Sequence, residues 1–281
     1  MQDGQPSRTA LGAAVYRAAH QALDGGIIFS DPLARIVLGP EADDLIRDIS
    51  ADPARQRMRI FMAARSRFAE DSIAGAVSRG VRQVVILGAG LDTFGLRNPS
   101  ADLGLRVFEV DHPATQAWKR NRLAEAKLMT PAMLTFVPVD FTRQDLSHEL
   151  TVAGFERSQS AFFCWLGVVP YLRREAIASI LQFVASLPRS EVVFDYSEPL
   201  ENYPVQRRAN VAAVAARTAA IGEPWLSYFN PDELARELRG HGFDELEDLG
   251  LAEIALRYMG GLTQDHIPEA GPHIVRAHCT R

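Results

Sequence analysis

The sequence predicts an α/β fold built on a doubly wound, mostly parallel sheet. Val84–Leu87 is a short apolar run rich in β-branched residues, which is typical of a strand buried on both faces. From there to residue 196, strand-like and helix-like segments alternate, as they do in right-handed βαβ units. The 281-residue chain is 47% hydrophobic and 23% charged, which is the composition of a globular protein and not of a disordered one.

Charge and cysteine usage exclude several classes of protein. The net charge is −5 and the pI is near 5.8, so no global basic surface exists for nucleic acid or an anionic membrane. Two cysteines, Cys164 and Cys279, rule out a disulfide framework and favour a reducing compartment. The most apolar stretch, Ala161–Leu172, is too short to cross a bilayer, which takes about 20 residues. We therefore expect a cytoplasmic protein with no membrane or nucleic-acid partner.

Residues 1–79 are predicted to form an N-terminal helical cap. Apolar residues recur at helical spacing over 9–23, and Asp24-Gly25-Gly26 ends that helix. Ser30-Asp31-Pro32 predicts the cap of a short helix with proline at the first helical position. That helix is expected to run through Leu33 and Val37 and to end at Gly39-Pro40. A longer helix is expected from about Pro53 to Gly80.

Residues 80–281 are predicted to form the core of the fold. The strand-like segments are 84–87, 105–110, 134–139, 161–166 and 191–196. The helices between them are 112–129, 142–153 with Thr142 as its cap, and 173–187. A helical insertion at about 200–240 contains one Ala-rich helix over 204–221 and a second from Asn230 to Gly240. Residues 243–249 and 273–278 predict closing strands, the last an antiparallel partner at the edge of the sheet.

A glycine loop follows the first strand. Gly88-Ala89-Gly90 permits a sharp turn and a close approach to a ligand, at the sheet edge where ligands bind in open α/β folds. Glu109 and Asp111 end the next strand, and Asp111 lies 21 residues after Gly90. A carboxylate at about that distance can accept hydrogen bonds from both ribose hydroxyls of a nucleoside. The structural alternatives are a tight strand-to-helix turn and a cap for the helix at His112-Pro113.

The residues after this loop favour S-adenosylmethionine over a dinucleotide. A dinucleotide fingerprint requires a third glycine, but that position is Thr93. Asp92 would repel a pyrophosphate and would suit a cationic sulfonium. At the end of the third strand, Asp140 and the backbone of Phe141 are candidates for contact with adenine, with a cap for the following helix as the alternative.

On these residues the chain resembles the leucine carboxyl methyltransferase family, in its bacterial branch of S-adenosylmethionine-dependent O-methyltransferases. The most specific segments are Gln83–Thr93 and Phe108–Pro113. The similarity runs nearly end to end, through further segments at 6–10, 29–34, 64–68, 137–141, 171–172 and 257–258.

The resemblance implies a Rossmann-like class I methyltransferase fold with a mostly parallel seven-stranded sheet. The N-terminal helices, from Thr9 to about Gly39, and the segment 200–240 are expected to form a helical lid over the cofactor. The resemblance implies S-adenosyl-L-methionine as cofactor, held by the glycine loop, by Asp111 at the ribose, and by Asp140 and Phe141 at the adenine. It also implies that an arginine in the helix before the first strand holds the methionine carboxylate, and Arg65 and Arg67 both fit that place. Asp92 and Glu109 are two further candidates for binding the cofactor.

One position departs from the family pattern. Many members carry a glutamate in a Glu-Gly-x-x-x-Tyr-Leu pattern after the fourth strand, and the same frame here begins with Leu166-Gly167. Leu166 cannot accept hydrogen bonds from the cofactor, so either Asp92 and backbone carbonyls suffice or the affinity is reduced. The change argues against the phosphatase-tail leucine substrate of the eukaryotic members.

The predicted function is O-methylation of a small-molecule carboxylate or phenol, with a polyketide-like metabolite as one possibility. A carboxylate acceptor needs no base and a hydroxyl acceptor does, and no dedicated base is visible. Candidates for the acceptor pocket are Tyr16, His20, Tyr171, Asp195 and Tyr196, with Phe29, Tyr203, Trp225 and Tyr228 expected on the lid. The alternatives are an NAD(P)-dependent oxidoreductase of the same fold class and a non-catalytic cofactor-binding protein. No histidine spacing indicates a metal site.

Overall fold

The structure is a computed structural model and describes residues 7–50, 54–141, 143–260 and 270–281. Seven strands form one mostly parallel sheet, which confirms the predicted fold class. The chain divides into two compact units, Met1–Glu156 and Arg157–Arg281. The predicted division at residues 79 and 80 stays a prediction. In the part of the chain that is described, no helix is long and apolar enough to cross a membrane.

Three parallel strands make up the sheet of the first unit, in the order β3-β2-β1: β1 (Gln83–Leu87), β2 (Arg106–Asp111) and β3 (Leu134–Pro138). Every residue of β1 is buried, as expected for a strand covered on both faces. Leu87 pairs with Val110, so the ends of β1 and β2 lie side by side. Because the two strands are parallel, Gly88 and Asp111 meet at one edge of the sheet.

The helices of the first unit are α1 (Arg8–Asp24), α2 (Ala34–Leu38), α3 (Ala42–Ser50), α4 (Ala54–Ser78), α5 (Phe94–Arg97), α6 (Pro113–Glu125) and α7 (Leu146–Val152). Apolar side chains of α1, α2 and α3 form one buried cluster, which includes Val15, Leu38 and Ile46. The helix α3 was not predicted, although Ala42, Ile46 and Ile49 have helical spacing and are buried.

Several predicted helix boundaries need correction. The helix α2 begins at Ala34, and Asp31 does not cap it with its carboxylate, which pairs with Arg17. The helix α7 begins at Leu146, because the Asp145 side chain accepts the His148 N–H and caps it. Thr142, the predicted cap of this helix, and Pro53, the predicted start of α4, lie outside the described residues. The helix α6 ends at Glu125, four residues before the predicted end, and Lys127 then turns the chain with φ 54°.

The second unit contributes four strands in the order β4-β5-β7-β6: β4 (Phe162–Trp165), β5 (Glu191–Ser197), β6 (Glu245–Leu249) and β7 (Pro272–His278). The strand β7 is antiparallel to β5, as predicted. Its predicted place at the edge is wrong, because β7 also pairs with β6 and lies between the two. The outer strand β6 carries Glu245, Glu247 and Asp248, and such charges suit an edge strand, since they oppose pairing with another chain.

The helices of the second unit are α8 (Arg174–Ala185), α9 (Val205–Ala220), α10 (Pro231–His241) and α11 (Leu251–Tyr258). The first three lie where the sequence places them, and α11 was not predicted. The helix α9 has no buried residue, which is consistent with an insertion at the surface.

Candidate cofactor site

The loop after β1 turns at two glycines. Gly88 has φ 64° and Gly90 has φ 49°, in the left-handed region that favours glycine. A Cβ at Gly90 would lie 2.9 Å from the Cβ of Ala10, so glycine also allows α1 to pack on the loop. The Ala89 N–H donates to the Val110 carbonyl at 3.1 Å, which ties the loop to β2.

The Asp111 carboxylate supports this loop. Its Oδ2 accepts the Gly90 N–H at 2.5 Å, and its Oδ1 accepts the His112 N–H at 2.6 Å. A carboxylate has about four acceptor positions, so each oxygen keeps capacity for a further donor such as a ribose hydroxyl. Burial raises the pKa of Asp111, and the two N–H donors oppose that shift. The cap of α6 is His112, whose ring accepts the Ala114 N–H.

Glu109 and Lys119 form an ion pair inside the first unit. Lys119 Nζ lies 2.5 Å from Glu109 Oε2 and donates to the Asp92 carbonyl at 2.6 Å. Their side chains are only 1% and 2% exposed. Burial raises the pKa of Glu109 to about 7, although Lys119 opposes the shift. Glu109 is therefore enclosed and holds the loop through Lys119.

The remaining candidate cofactor contacts of the first unit differ in which of their polar groups already have hydrogen-bond partners. Asp92 Oδ1 accepts the Phe94 N–H at 2.7 Å, whereas its Oδ2 has no hydrogen bond to any described residue. Phe141 is 43% exposed, and its N–H donates to no residue that the structure describes. Asp140 is half-buried, and its N–H donates to Gln144 Oε1. Asp92 and Phe141 thus keep polar groups that a ligand can use.

The helix α4 presents its two candidate arginines in different environments. Arg65 is only 6% exposed. Arg67 pairs with Asp71 at 2.8 Å, and both of these side chains are about half exposed. Residues two apart on a helix do not share a face. Arg65 therefore lies on the buried side of α4 and Arg67 on the solvent side.

Two residues predicted for the acceptor pocket lie on α1. His20 is fully buried, with Nδ1 2.9 Å from Asp24 Oδ2. Its Nε2 accepts the Ile28 and Phe29 N–H groups, so the ring holds the turn after α1. Tyr16 is half-buried and packs against the apolar cluster of α1, α2 and α3.

In the second unit, Leu166 follows β4 and is half-buried, and the next residue, Gly167, has φ 71°. Asp195, which is buried, accepts the Gly167 N–H at 2.5 Å and so fixes this turn. Tyr171 is half-buried, in a short helical turn. Tyr196 is 1% exposed and donates its hydroxyl to Asp248. Asp195 and Tyr196 thus have structural partners within their own unit.

Sequence reasoning missed a cluster around His273. His273 Nδ1 lies 3.0 Å from Asp248 Oδ1, and its Nε2 lies 3.2 Å from Glu198 Oε1. Its ring stacks on Tyr196 at 4.9 Å. Burial lowers the pKa of His273, but the two carboxylates outweigh it and raise the pKa above its usual value. Only strand pairing brings these residues together, so no sequence motif signals them.

The raised pKa of His273 predicts a pH-dependent stability. The contribution of the protonated ring is fully present below about pH 6.5, its unfolded pKa, and is lost as the pH rises through the folded pKa. In urea unfolding between about pH 6 and 9, the wild type should lose more stability than His273→Gln. His278→Gln, on the same strand, should retain the wild-type slope. Equal slopes for wild type and His273→Gln would contradict the prediction.

A mostly parallel α/β sheet, with a glycine loop after its first strand and a carboxylate after its second, defines the Rossmann-like class of nucleoside-binding enzymes. A family model described as leucine carboxyl methyltransferase matches residues 10–185. The chain belongs to this family.

Relatives and solved structures agree with that assignment. YktD of Bacillus subtilis (strain 168) is 34% identical over 279 residues, covering 90% of this chain and 91% of the relative. A protein of Mycolicibacterium paratuberculosis is 32% identical over 283 residues, covering 91% and 88%. Both relatives are named as proposed S-adenosyl-L-methionine-dependent methyltransferases.

Two solved structures share the fold. A DUF574 family protein from Streptomyces avermitilis has a TM-score of 0.57 at 18% identity, covering 95% of this chain and 97% of that one. A proposed methyltransferase from Thermobifida fusca has the same TM-score and identity, covering 99% and 96%. Taken with the family and the relatives, the chain is an S-adenosylmethionine-dependent methyltransferase, which confirms the predicted cofactor.

Proposed function

We propose that this enzyme transfers the methyl group to an oxygen atom of a small-molecule carboxylate or phenol, polyketide-like metabolites included. The observation that carries the proposal is the match to leucine carboxyl methyltransferases over residues 10–185, since that family is named for a carboxyl acceptor. The net charge of −5 also supports a small acceptor, because an acidic chain gains little attraction to a nucleic-acid backbone.

The residues of the first unit fit S-adenosylmethionine. In the proposal, Asp111 accepts hydrogen bonds from the ribose hydroxyls with the acceptor positions that Gly90 and His112 leave open. Asp140 accepts from the adenine amine, and the Phe141 N–H donates to a ring nitrogen. The loop Gly88–Gly90 provides backbone contacts to the rest of the molecule, and residues 1–79 act as a cap on the core at 80–281.

The bound cofactor supplies an electrophilic methyl group as part of a sulfonium. The enzyme aligns the acceptor oxygen with that methyl group at about 3 Å and excludes water. Because a carboxylate is already anionic at neutral pH, a carboxyl acceptor requires no proton transfer to the protein. With Leu166 at the position of the family glutamate, we propose that Asp92 Oδ2 and backbone carbonyls bear the cofactor's positive charge.

Arg65 is proposed to hold the methionine carboxylate, and Arg67 provides a matched control on the same helix. Arg65→Gln should weaken S-adenosylhomocysteine binding about 10- to 100-fold, because a hydrogen bond to a charged group contributes roughly 1.5–3 kcal/mol. Arg67→Gln should bind like the wild type, since it loses only an exposed pair with Asp71. Calorimetry on both variants measures the difference. A larger loss at Arg67 would reverse the assignment.

The acceptor class is tested by radiolabel transfer from S-adenosylmethionine to phenols, carboxylic acids, transfer RNA and peptide C-termini. We expect label in a small acid or phenol. A base-labile product identifies a methyl ester, and a base-stable one a phenol ether. Label in RNA or on a nitrogen atom would overturn the proposal.

A further inference from the structure

A buried polar network connects the N-terminal helices to the residues that follow the glycine loop. Arg17 Nη2 donates to the Leu91 carbonyl at 2.6 Å, and its Nε donates to Asp31 Oδ2 at 3.0 Å. The Asp31 side chain is fully buried, and its Oδ1 accepts the Thr93 hydroxyl at 2.7 Å. Arg17 and Asp31 therefore contact the chain on both sides of Asp92.

Arg97, on α5, extends this network from Thr93 and Asp31 to Glu70 on α4. Its Nε donates to Thr93 Oγ1 at 3.0 Å and lies 3.5 Å from Asp31 Oδ1. Its two terminal nitrogens donate to the Glu70 carboxylate on α4. Two guanidinium groups thus face two carboxylates, and no charge of the four is left uncompensated, as a buried site requires.

The network acts on the loop conformation and not only on the packing of α1. Apolar contacts of α1, α2 and α3 bury these helices against one another and also enclose the Leu91 side chain. The polar contacts add a backbone carbonyl, that of Leu91, and the Thr93 hydroxyl. Ala10, in the first turn of α1, also lies against Gly90. The path of residues 90–93 is consequently set by side chains of the N-terminal segment.

We propose that Arg17 and Asp31 are positioning residues of the cofactor site. This inference rests on the proposed roles of the loop Gly88–Gly90 and of Asp92 in binding the cofactor. They act through Leu91 and Thr93 and do not touch the cofactor. The loop then holds its binding conformation only while α1 is docked. By linkage, cofactor binding favours docked α1 by the same factor by which docking favours the cofactor.

Three variants and two matched controls test the proposal. Asp31→Asn and Arg17→Gln remove one member of the pair, and Thr93→Val removes the hydroxyl without changing charge, in case the first two fail to fold. The control Asp43→Asn changes an exposed aspartate that pairs with Arg35 in the same segment. The control Thr115→Val changes a buried hydroxyl that has no hydrogen-bond partner among the described residues. S-adenosylhomocysteine affinity is measured by calorimetry at a temperature where circular dichroism shows each variant folded.

Asp31→Asn and Arg17→Gln should weaken binding about tenfold or more, Thr93→Val should weaken it less, and both controls should stay within about twofold. Arg17→Lys should recover part of the affinity, because one of the two contacts can be remade. Amide exchange in α1 should slow when S-adenosylhomocysteine binds the wild type, and should slow less in Asp31→Asn. If Asp31 only stabilised the fold, S-adenosylhomocysteine would slow amide exchange in α1 as much in Asp31→Asn as in the wild type.

Wild-type affinity in folded Asp31→Asn and Thr93→Val, with a loss in Asp111→Ala, would overturn this inference and leave the proposed cofactor site intact. Wild-type affinity in Asp111→Ala as well would overturn both.

Discussion

Lys119→Met should lower the free energy of unfolding by about 3–5 kcal/mol, the usual effect of removing one partner of a buried ion pair. The change leaves the Glu109 carboxylate buried without its cation, and the Asp92 carbonyl without its donor. Urea unfolding at about pH 9, where the Glu109 carboxyl of the wild type is ionised, measures the loss. Lys127→Met, which changes a lysine just beyond the end of α6, should cost less than about 1 kcal/mol.

Two further measurements attribute this loss to the uncompensated carboxylate. The double variant Lys119→Met, Glu109→Leu should recover much of the stability, because no charge remains buried. The defect of Lys119→Met should also shrink as the pH falls, because burial raises the pKa of Glu109 and protonation neutralises it. A defect that persists at acidic pH and in the double variant would contradict the ion-pair account.

Asp111→Ala should weaken S-adenosylhomocysteine binding about a hundredfold or more. Two ribose hydroxyls lose a charged acceptor, and each such hydrogen bond contributes roughly 1.5–3 kcal/mol. The Gly90 N–H also loses the oxygen that holds it in the unliganded protein. Calorimetry gives the dissociation constants, and Asp102→Ala, an exposed aspartate shortly before β2, provides the control.

Glu109 provides the sharper comparison, since it lies on the same strand. Its enclosed carboxylate reaches the loop only through Lys119, so Glu109→Gln should weaken binding much less than Asp111→Asn. An equal loss at the two positions, or a larger one at Glu109, would mean that the wrong carboxylate has been assigned to the ribose.

The order of helices and strands follows closely from the sequence, because burial on two faces and helical spacing are local signals. The run Val84–Leu87 and the helix α8 are examples, and both lie within two residues of their predicted bounds. The place of β7 between β5 and β6 was not predictable in this way. Strand neighbours are set by contacts between distant segments, which no local period records.

The same distinction between local signals and contacts of distant segments applies to the candidate site. Gly88, Gly90 and Asp111 carry a signal in their spacing, and the structure brings the loop and the carboxylate together. Asp31 fits the local pattern of a helix cap, whereas its ion pair with Arg17 joins two distant segments and leaves no local pattern. His20 and Tyr196 were candidates for the pocket by residue type, but side-chain chemistry does not reveal burial. Lys119 carries no local signal, because only packing brings it to Glu109 and to the Asp92 carbonyl.

Thermal unfolding with added nucleotide tests the cofactor site most directly. A ligand that binds only the native state adds about 2.7 kcal/mol of stability at a hundredfold excess over its dissociation constant. S-adenosylhomocysteine should therefore raise the melting temperature of the wild type and should raise it far less in Asp111→Ala. NAD should leave both unchanged. A shift with NAD and none with S-adenosylhomocysteine at about 1 mM, well above the dissociation constants expected of a cofactor, would contradict the account.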